Sequence, residues 1–135
     1  MFRVRRFPTA EARLRFNALS KLYRKFFAEN TSETRGLRLM RDWLSPDQRK
    51  QFDGLGYFDV VGCSSRRRYR IYHNVRPPNV YEIDHTGCRK MGLCFAPIGQ
   101  LAKGDIMLAQ KIALETDERN ALAAANRVPI TRCPY

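Results

Sequence analysis

Apolar residues recur every three or four positions over residues 9–29, at Ala12, Phe16, Leu19, Tyr23 and Phe26, with Leu22 widening the stripe. That period predicts an amphipathic helix. Thr9 is placed to cap it, and Glu11 falls in the first turn, where a carboxylate complements the helix dipole. Asn30-Thr31-Ser32 interrupts the pattern. Leu37, Met40 and Leu44, with Trp43 beside them, then predict a second helix over 33–44, weakened at its start by Gly36. Ser45-Pro46-Asp47-Gln48 predicts a third start, with Ser45 as cap, Pro46 at the first helical position and Gln48 completing a capping box. This helix is expected to run to about Asp53 and to end at Gly54 or Gly56 in a left-handed conformation.

The period then shortens to two. Residues 57–63, 68–73, 79–84 and 88–96 predict four strands, the last bent at Gly92. Ser64-Ser65-Arg66-Arg67 and His85-Thr86-Gly87 read as turns, and Pro77-Pro78 as a loop that no regular ladder tolerates. Short connections favour an antiparallel meander. Pro97 to Lys103 reads as a loop. Asp105 is placed to cap a helix with Ile106, Ala109, Ile112 and Ala113, expected to cover one sheet face. Thr116-Asp117-Glu118 starts another or continues the first with a kink, and the tail from Val128 reads as irregular. The predicted class is α+β: a basic helical region at 1–46, a four-stranded antiparallel meander domain with C-terminal helices at 47–127, and a tail at 128–135. The first helix is expected to pack on the meander.

Charge adds what periodicity does not. The formal net charge is +12, and it is unevenly spread. Residues 1–46 hold 11 Lys and Arg against 4 acids, residues 47–103 hold 10 against 5, and residues 104–135 hold 4 of each. Such a field attracts polyanions without dictating a fold. Two patches concentrate it. Arg66, Arg67, Arg68 and Arg70 sit at a predicted hairpin with Tyr69 and Tyr72, which offers guanidinium forks for phosphate and aromatic platforms for bases. Arg3, Arg5, Arg6, Arg13, Arg15, Lys21, Arg24 and Lys25 form a basic arm and helix. Charged hairpin tips and helix faces are also ordinary solvated surface, and Arg blunts sheet edges. No zinc-finger spacing, RRM signature or KH-type glycine loop is present, so sequence-specific readout is not expected.

Other chemistry is weakly signalled. Phe2, Phe7, Phe16, Phe26 and Phe27 among the bases would suit a membrane-surface helix, but no run approaches a membrane span, and no membrane partner is expected. The charged start has no apolar run behind it and does not read as a secretory signal. Cys63, Cys88, Cys94 and Cys133 match no secreted framework and read as reduced thiols in a cytoplasmic protein. His85-x2-Cys88 with Cys94 could be drawn as a zinc site, with Cys63, His73 or Cys133 as fourth ligand. No CxxC or HxxxH pair supports it, and no metal or cofactor is expected. Cys88 with His85 is too local a pair to read as nucleophile and base, and Glu82 and Asp84, two apart on a strand, read as solvent-facing. No enzyme is expected.

The run Asp42-Trp43-Leu44-Ser45-Pro46-Asp47-Gln48-Arg49, then Gly56-Tyr57-Phe58-Asp59-Val60-Val61-Gly62, Tyr69-Arg70-Ile71, Asn79-Val80-Tyr81 and Asp105-Ile106-Met107-Leu108-Ala109-Gln110-Lys111 resembles small uncharacterised bacterial proteins, mostly alphaproteobacterial. The resemblance spans Trp43 to Arg127, leaves the basic helix outside it and implies no activity. The meander-plus-helix order is also remotely similar to a SWIM-type zinc module. That module's Cys-x-Cys and Cys-x-His pairs are missing here, so no zinc is implied. The sequence therefore leads to a small, basic, non-catalytic accessory protein that holds DNA or RNA backbone within a larger ribonucleoprotein or DNA-processing assembly. The alternative is a protein-interaction module whose basic face docks on an acidic protein surface.

Overall fold

A computed structural model of the chain describes residues 9–29, 31–73, 75–95 and 101–130, with residues 23 and 25–29 described by backbone alone. The order is α1 (Ala10–Glu29), α2 (Ser32–Trp43), α3 (Pro46–Leu55), β1 (Tyr57–Val61), β2 (Arg68–Tyr72), β3 (Val80–Ile83), β4 (Arg89–Cys94), α4 (Lys103–Thr116), α5 (Glu118–Ala124) and β5 (Asn126–Pro129). The fold is α+β, as expected, but the antiparallel sheet has five strands in the order β1-β2-β3-β4-β5, not four. The extra strand starts just before the stretch read as irregular. Its four residues pair with β4 from Cys94↔Asn126 to Met91↔Pro129, and all four are exposed. With no buried face it shows no alternation to read.

Local signals work where the chemistry is local. Thr9 Oγ1 accepts from the Ala12 N–H, and Thr31 caps α2 through the Thr34 N–H. The capping box at Ser45 is complete: Gln48 N–H donates to Ser45 Oγ at 3.2 Å, and Ser45 N–H donates to Gln48 Oε1 at 3.0 Å. Gly56 closes α3 at φ 75°. The Asp105 cap is a correction: the N-cap is Ala102, three residues earlier, and it makes no side-chain bond. What fixes that end is packing. A Cβ on Gly104 would lie 2.3 Å from the Gly36 carbonyl carbon, and one on Gly36 would lie 2.9 Å from the Ala102 Cβ. The two glycines thus let α2 and α4 cross in backbone contact. The β3–β4 register shifts at Glu82/Ile83 and runs regularly past Gly92, which pairs with Tyr81. Gly92 instead makes room for Pro78, whose Cγ would stand 2.9 Å from an added Cβ.

The core lies between one sheet face and the helices. Phe58 and Val60 of β1, Tyr69 and Ile71 of β2, Val80 of β3 and Leu93 of β4 point to it. Met107, Leu108 and Leu114 of α4, Met40 and Leu44 of α2 and Ala121 of α5 complete it. Charged groups support the joints. Arg41 of α2 grips Asp53 of α3 in a two-pronged pair at 2.9 and 2.7 Å. The outer edge of β1 is closed by side chains of α3: Gln51 Oε1 accepts from the Asp59 N–H at 2.8 Å, and Gln48 Nε2 donates to the Asp59 carbonyl at 2.9 Å.

α1 departs from expectation. Among the described residues its main neighbour is α2 rather than the meander, and the Tyr23 and Phe26 side chains lie outside the described residues. Phe16, Leu19 and Leu22 stand 70, 65 and 65% exposed. Among the described residues no helix is long and apolar enough to cross a membrane.

The glycine crossing is tested by two substitutions. Gly104→Ala is expected to cost about 1–3 kcal/mol or more in urea denaturation, because its methyl group meets backbone that cannot rotate away. Gly54→Ala, in α3 with no heavy atom near the added carbon, is expected to be neutral or to stabilise by up to about 1 kcal/mol.

Candidate nucleic-acid interface

The hairpin between β1 and β2 owes its shape to a residue 53 positions away. Glu118, the first residue of α5, is 1% exposed. Its carboxylate accepts from the Ser64 N–H at 3.1 Å, the Ser65 N–H at 2.7 Å, the Ser65 hydroxyl at 2.6 Å and the Tyr69 hydroxyl at 2.8 Å. Gly62 leaves room for it, since any Cβ there would overlap the carboxylate. Burial pushes the Glu118 pKa up, but the hydrogen bonds from Ser65, Tyr69 and Ser64 outweigh burial and leave it below the ordinary value. The Tyr69 phenol is pushed up to about 12, by burial first and by its bond to Glu118 second. The turn is completed by Arg66 at φ 62°, a left-handed conformation that few side chains adopt.

This arrangement sorts the predicted contact residues. Arg66 is exposed at the tip, and Arg67 is exposed with its Nε 3.7 Å from Glu82. Tyr69 is a correction: at 1% exposure it belongs to the core and offers no stacking face. Its position in the alternation Tyr69-x-Ile71 places it with the buried set. Arg70 is largely spoken for. Its guanidinium donates to both oxygens of Asp59 at 2.8 and 3.1 Å and lies 4.3 Å above the Tyr57 ring. The bond to Asp59, opposed by burial, holds its pKa above the ordinary arginine value. Tyr72 is half-buried on the sheet face turned away from α4.

That face was not assembled from the sequence, although its signal is there. Alternation in Tyr57-x-Asp59 and Arg68-x-Arg70-x-Tyr72 puts these residues on one side, and the register sets Tyr57 opposite Tyr72, Asp59 opposite Arg70 and Arg70 opposite Tyr81. Tyr57 and Tyr72 lie 5.1 Å apart, and Tyr72 meets Tyr81 edge-on at 5.7 Å. Arg89, absent from the predicted set, lies 4.6 Å above Tyr72 and 4.4 Å above Tyr81 and donates to the Tyr72 hydroxyl at 3.2 Å. Three guanidinium groups, of Arg68, Arg70 and Arg89, therefore share a face on which Asp59 is the counter-charge. Arg70 takes it. Arg68 donates to the Asp84 carbonyl at 3.2 Å, but its Nε is 3.8 Å from Asp59, too far for a hydrogen bond, and is buried without one. Arg89 has no carboxylate partner among the described residues.

The second patch is separate. Arg13, Lys21 and Arg24 are exposed on α1, and Arg15 pairs with Glu11 at 2.9 Å. The Lys25 side chain and Arg3, Arg5 and Arg6 lie outside the described residues.

The remaining sequence candidates disperse. Cys63 and Cys94 are free thiols, but Cys88 is disulfide-bonded, which corrects the reading of all four as reduced. Among the described residues no three His, Cys, Asp or Glu side chains gather as a metal site. Asp84 caps its own turn, accepting from the Thr86 hydroxyl and from the N–H groups of Thr86 and Cys88. Those bonds, the Thr86 hydroxyl foremost, hold it below the ordinary carboxyl pKa. Glu82 turns to Arg67, so the two acids do not form a pair. No protein-family model, curated protein or solved structure matches the chain.

Glu118→Gln is expected to cost about 2–4 kcal/mol at pH 7, since it strips charge from four donors in a buried site. Folding lowers the Glu118 pKa, so its contribution is complete above the unfolded-chain value of about 4.3 and disappears as pH falls through the folded-state value. The stability gap between wild type and the variant, followed by denaturant titration from pH 7 to pH 3, should hold to about pH 5 and then close. Tyr69 acts at the other end. Its raised pKa contributes stability below about pH 10, which is lost as pH rises towards 12.

Proposed function

We propose that the protein is a small, non-catalytic nucleic-acid-binding accessory that holds phosphate backbone on the Arg68–Arg89 face and the Arg66–Arg67 tip. The observation that carries this reading is the charge imbalance on that face: three guanidinium groups against one carboxylate, with Arg89 left without an acidic partner among the described residues. A phosphate oxygen is the kind of acceptor such a site lacks. Arg68 and Arg89 both stand opposite Ile83, on strands either side of it. Strands about 4.8 Å apart put them roughly 10 Å apart, a span that successive phosphates of one strand can bridge. The Tyr72 and Tyr81 rings hold the Arg89 fork in place, so little side-chain entropy is lost on binding. The cation excess of the whole chain would draw a polyanion to this face and make binding tolerant of sequence. The cytoplasmic setting and a role within a ribonucleoprotein or DNA-processing assembly are part of this proposal.

A second reading has its own support. The exposed Phe16, Leu19 and Leu22 on α1 are apolar surface that nucleic acid does not need, beside the exposed cations Arg13, Lys21 and Arg24. An acidic protein surface with an apolar centre would cover both.

Binding to single-stranded and duplex DNA and RNA, measured by fluorescence anisotropy across a salt series, separates the two. Each phosphate neutralised contributes about −0.9 to the log–log slope on duplex DNA, and we expect a slope steeper than about −3. Changing Arg66 and Arg67 together to Ala should weaken binding and flatten the slope by about 1–2, with the melting temperature nearly unchanged. Adding Arg89→Ala should bring the loss of binding to at least tenfold and also lower the melting temperature, since its contacts with Tyr72 and Tyr81 are lost. Arg70→Ala should do the reverse, lowering stability through the lost Asp59 pair with a smaller effect on affinity. Absence of binding to any nucleic acid at low salt would remove the leading reading. Nuclease-resistant, stoichiometric co-purification with an acidic protein would establish the second.

A further inference from the structure

Every described side chain of α1 from Ala10 to Arg24 is exposed except that of Ser20, which is half-buried. Among the described residues its main neighbour is α2. A helix of this length is marginal in water by itself, and in proteins most helical stability comes from packing an apolar face. The apolar face of α1 has no such cover among the described residues.

That face has the spacing of a helix-pairing seam. Ala12, Phe16, Leu19, Tyr23 and Phe26 follow one another at steps of four, three, four and three. This is the alternation of core positions in a heptad repeat, and it holds over about 21 Å of helix. Phe16 and Leu19, within it, are 70 and 65% exposed. Leu14 is 69% exposed too, but it stands about 200° round the helix from Phe16, on the far side. Apolar exposure on α1 is thus of two kinds, a lone residue and an ordered stripe. Bulky side chains at this period interlock with those of a second helix, and a phosphate backbone makes no use of them.

Charge narrows the choice of helix. Residues 10–29 hold five Lys and Arg against two acids. Arg13 and Arg24 are eleven residues apart, about three turns, and so line one margin of the stripe. Both are exposed, and neither makes an ion pair among the described residues. Glu11, the single acid of α1 whose side chain is described, is already held by Arg15 at 2.9 Å. A second copy would set five cations against five in either orientation. Charges flanking a seam choose the partner, and like charges reject it.

We propose that α1 is a docking helix whose partner is an acidic amphipathic helix of another protein, seated along Phe16 and Leu19 with carboxylates beside Arg13 and Arg24. This rests on the second reading given above and narrows its acidic surface to a helix. It is independent of the nucleic-acid face.

The test uses three labelled synthetic peptides of four heptads. One carries Leu at the core positions and Glu at the flanking ones. A second has Lys in place of Glu. A third keeps Glu but has a proline in each heptad, which prevents a helix. Each is titrated with the full chain and followed by fluorescence anisotropy. We expect the helical Glu peptide to bind at least about tenfold more tightly than either of the others. Leu19→Ala keeps helix propensity but removes a seam residue, and should weaken that binding by about tenfold. Leu14→Ala, on the far side, should leave it unchanged. Arg13→Glu with Arg24→Glu should weaken the Glu peptide and strengthen the Lys peptide. Equal binding of the helical and proline-bearing Glu peptides would overturn helix pairing while an acidic partner stands. Failure of both to bind would remove the acidic partner as well. A loss in Leu14→Ala equal to that in Leu19→Ala would overturn the stripe. Sedimentation of the chain alone as a dimer that Leu19→Ala dissociates would overturn the proposal in favour of a second copy.

Discussion

The Glu118 carboxylate is the constraint on which the hairpin end of the sheet depends. A buried charge costs several kcal/mol of lost hydration and persists only where donors replace the water. Here four donors do so, all from the single stretch between Ser64 and Tyr69. The consequence is geometric. Ser64 and Ser65 must turn their N–H groups inward, Gly62 must lack a side chain, and the chain must reverse at Arg66 in a left-handed conformation. The three arginines that follow are presented outward because the backbone before them is drawn inward. A contact between α5 and the hairpin thereby fixes where the positive charge of the tip can go.

Beyond the tip, the sheet face away from α4 is organised by scarcity of acid. Asp59 can satisfy one guanidinium well, and Arg70 has it in two-pronged geometry. The tyrosines add to this: Arg70 also rests on Tyr57, and Arg89 spans Tyr72 and Tyr81, while Arg68 reaches the Asp84 carbonyl. Aromatic faces attract a cation without neutralising it. The face is therefore held in place yet still charged, whereas Arg13, Lys21 and Arg24 on α1 stand exposed.

Sequence made the helices and four of the strands legible because their determinants are neighbours in the chain. Thr9, Thr31 and the Ser45–Gln48 box each act within three residues. What escaped depended on distant partners. Asn126–Pro129 becomes a strand only because β4 offers it an edge. Tyr69 looks like a platform until Glu118, 49 residues on, claims its hydroxyl. Arg89 stands alone in the sequence, and only register brings it over two tyrosines. The stripe on α1 was read correctly as amphipathic, but periodicity says which face is apolar and not what covers it. A cavity beside α4 left no trace in the pattern, since its lining comes from the end of β2, the loop after it, Phe95, Leu101 and α4.

The glutamine closure of β1 bears on how copies of this chain could associate. Gln48 and Gln51 occupy the outward N–H and C=O of Asp59, the middle residue of β1, so a strand adding at this margin would meet its central hydrogen bonds already taken. The other margin is β5, four exposed residues ending at Pro129, which has no amide hydrogen to give. A sheet that can grow from both margins stacks without limit, as fibres do. Where only one margin accepts a strand, pairing through it uses up that side of each copy and stops at a twofold pair. The side-chain amides of one short helix thus bias edge-to-edge pairing away from β1.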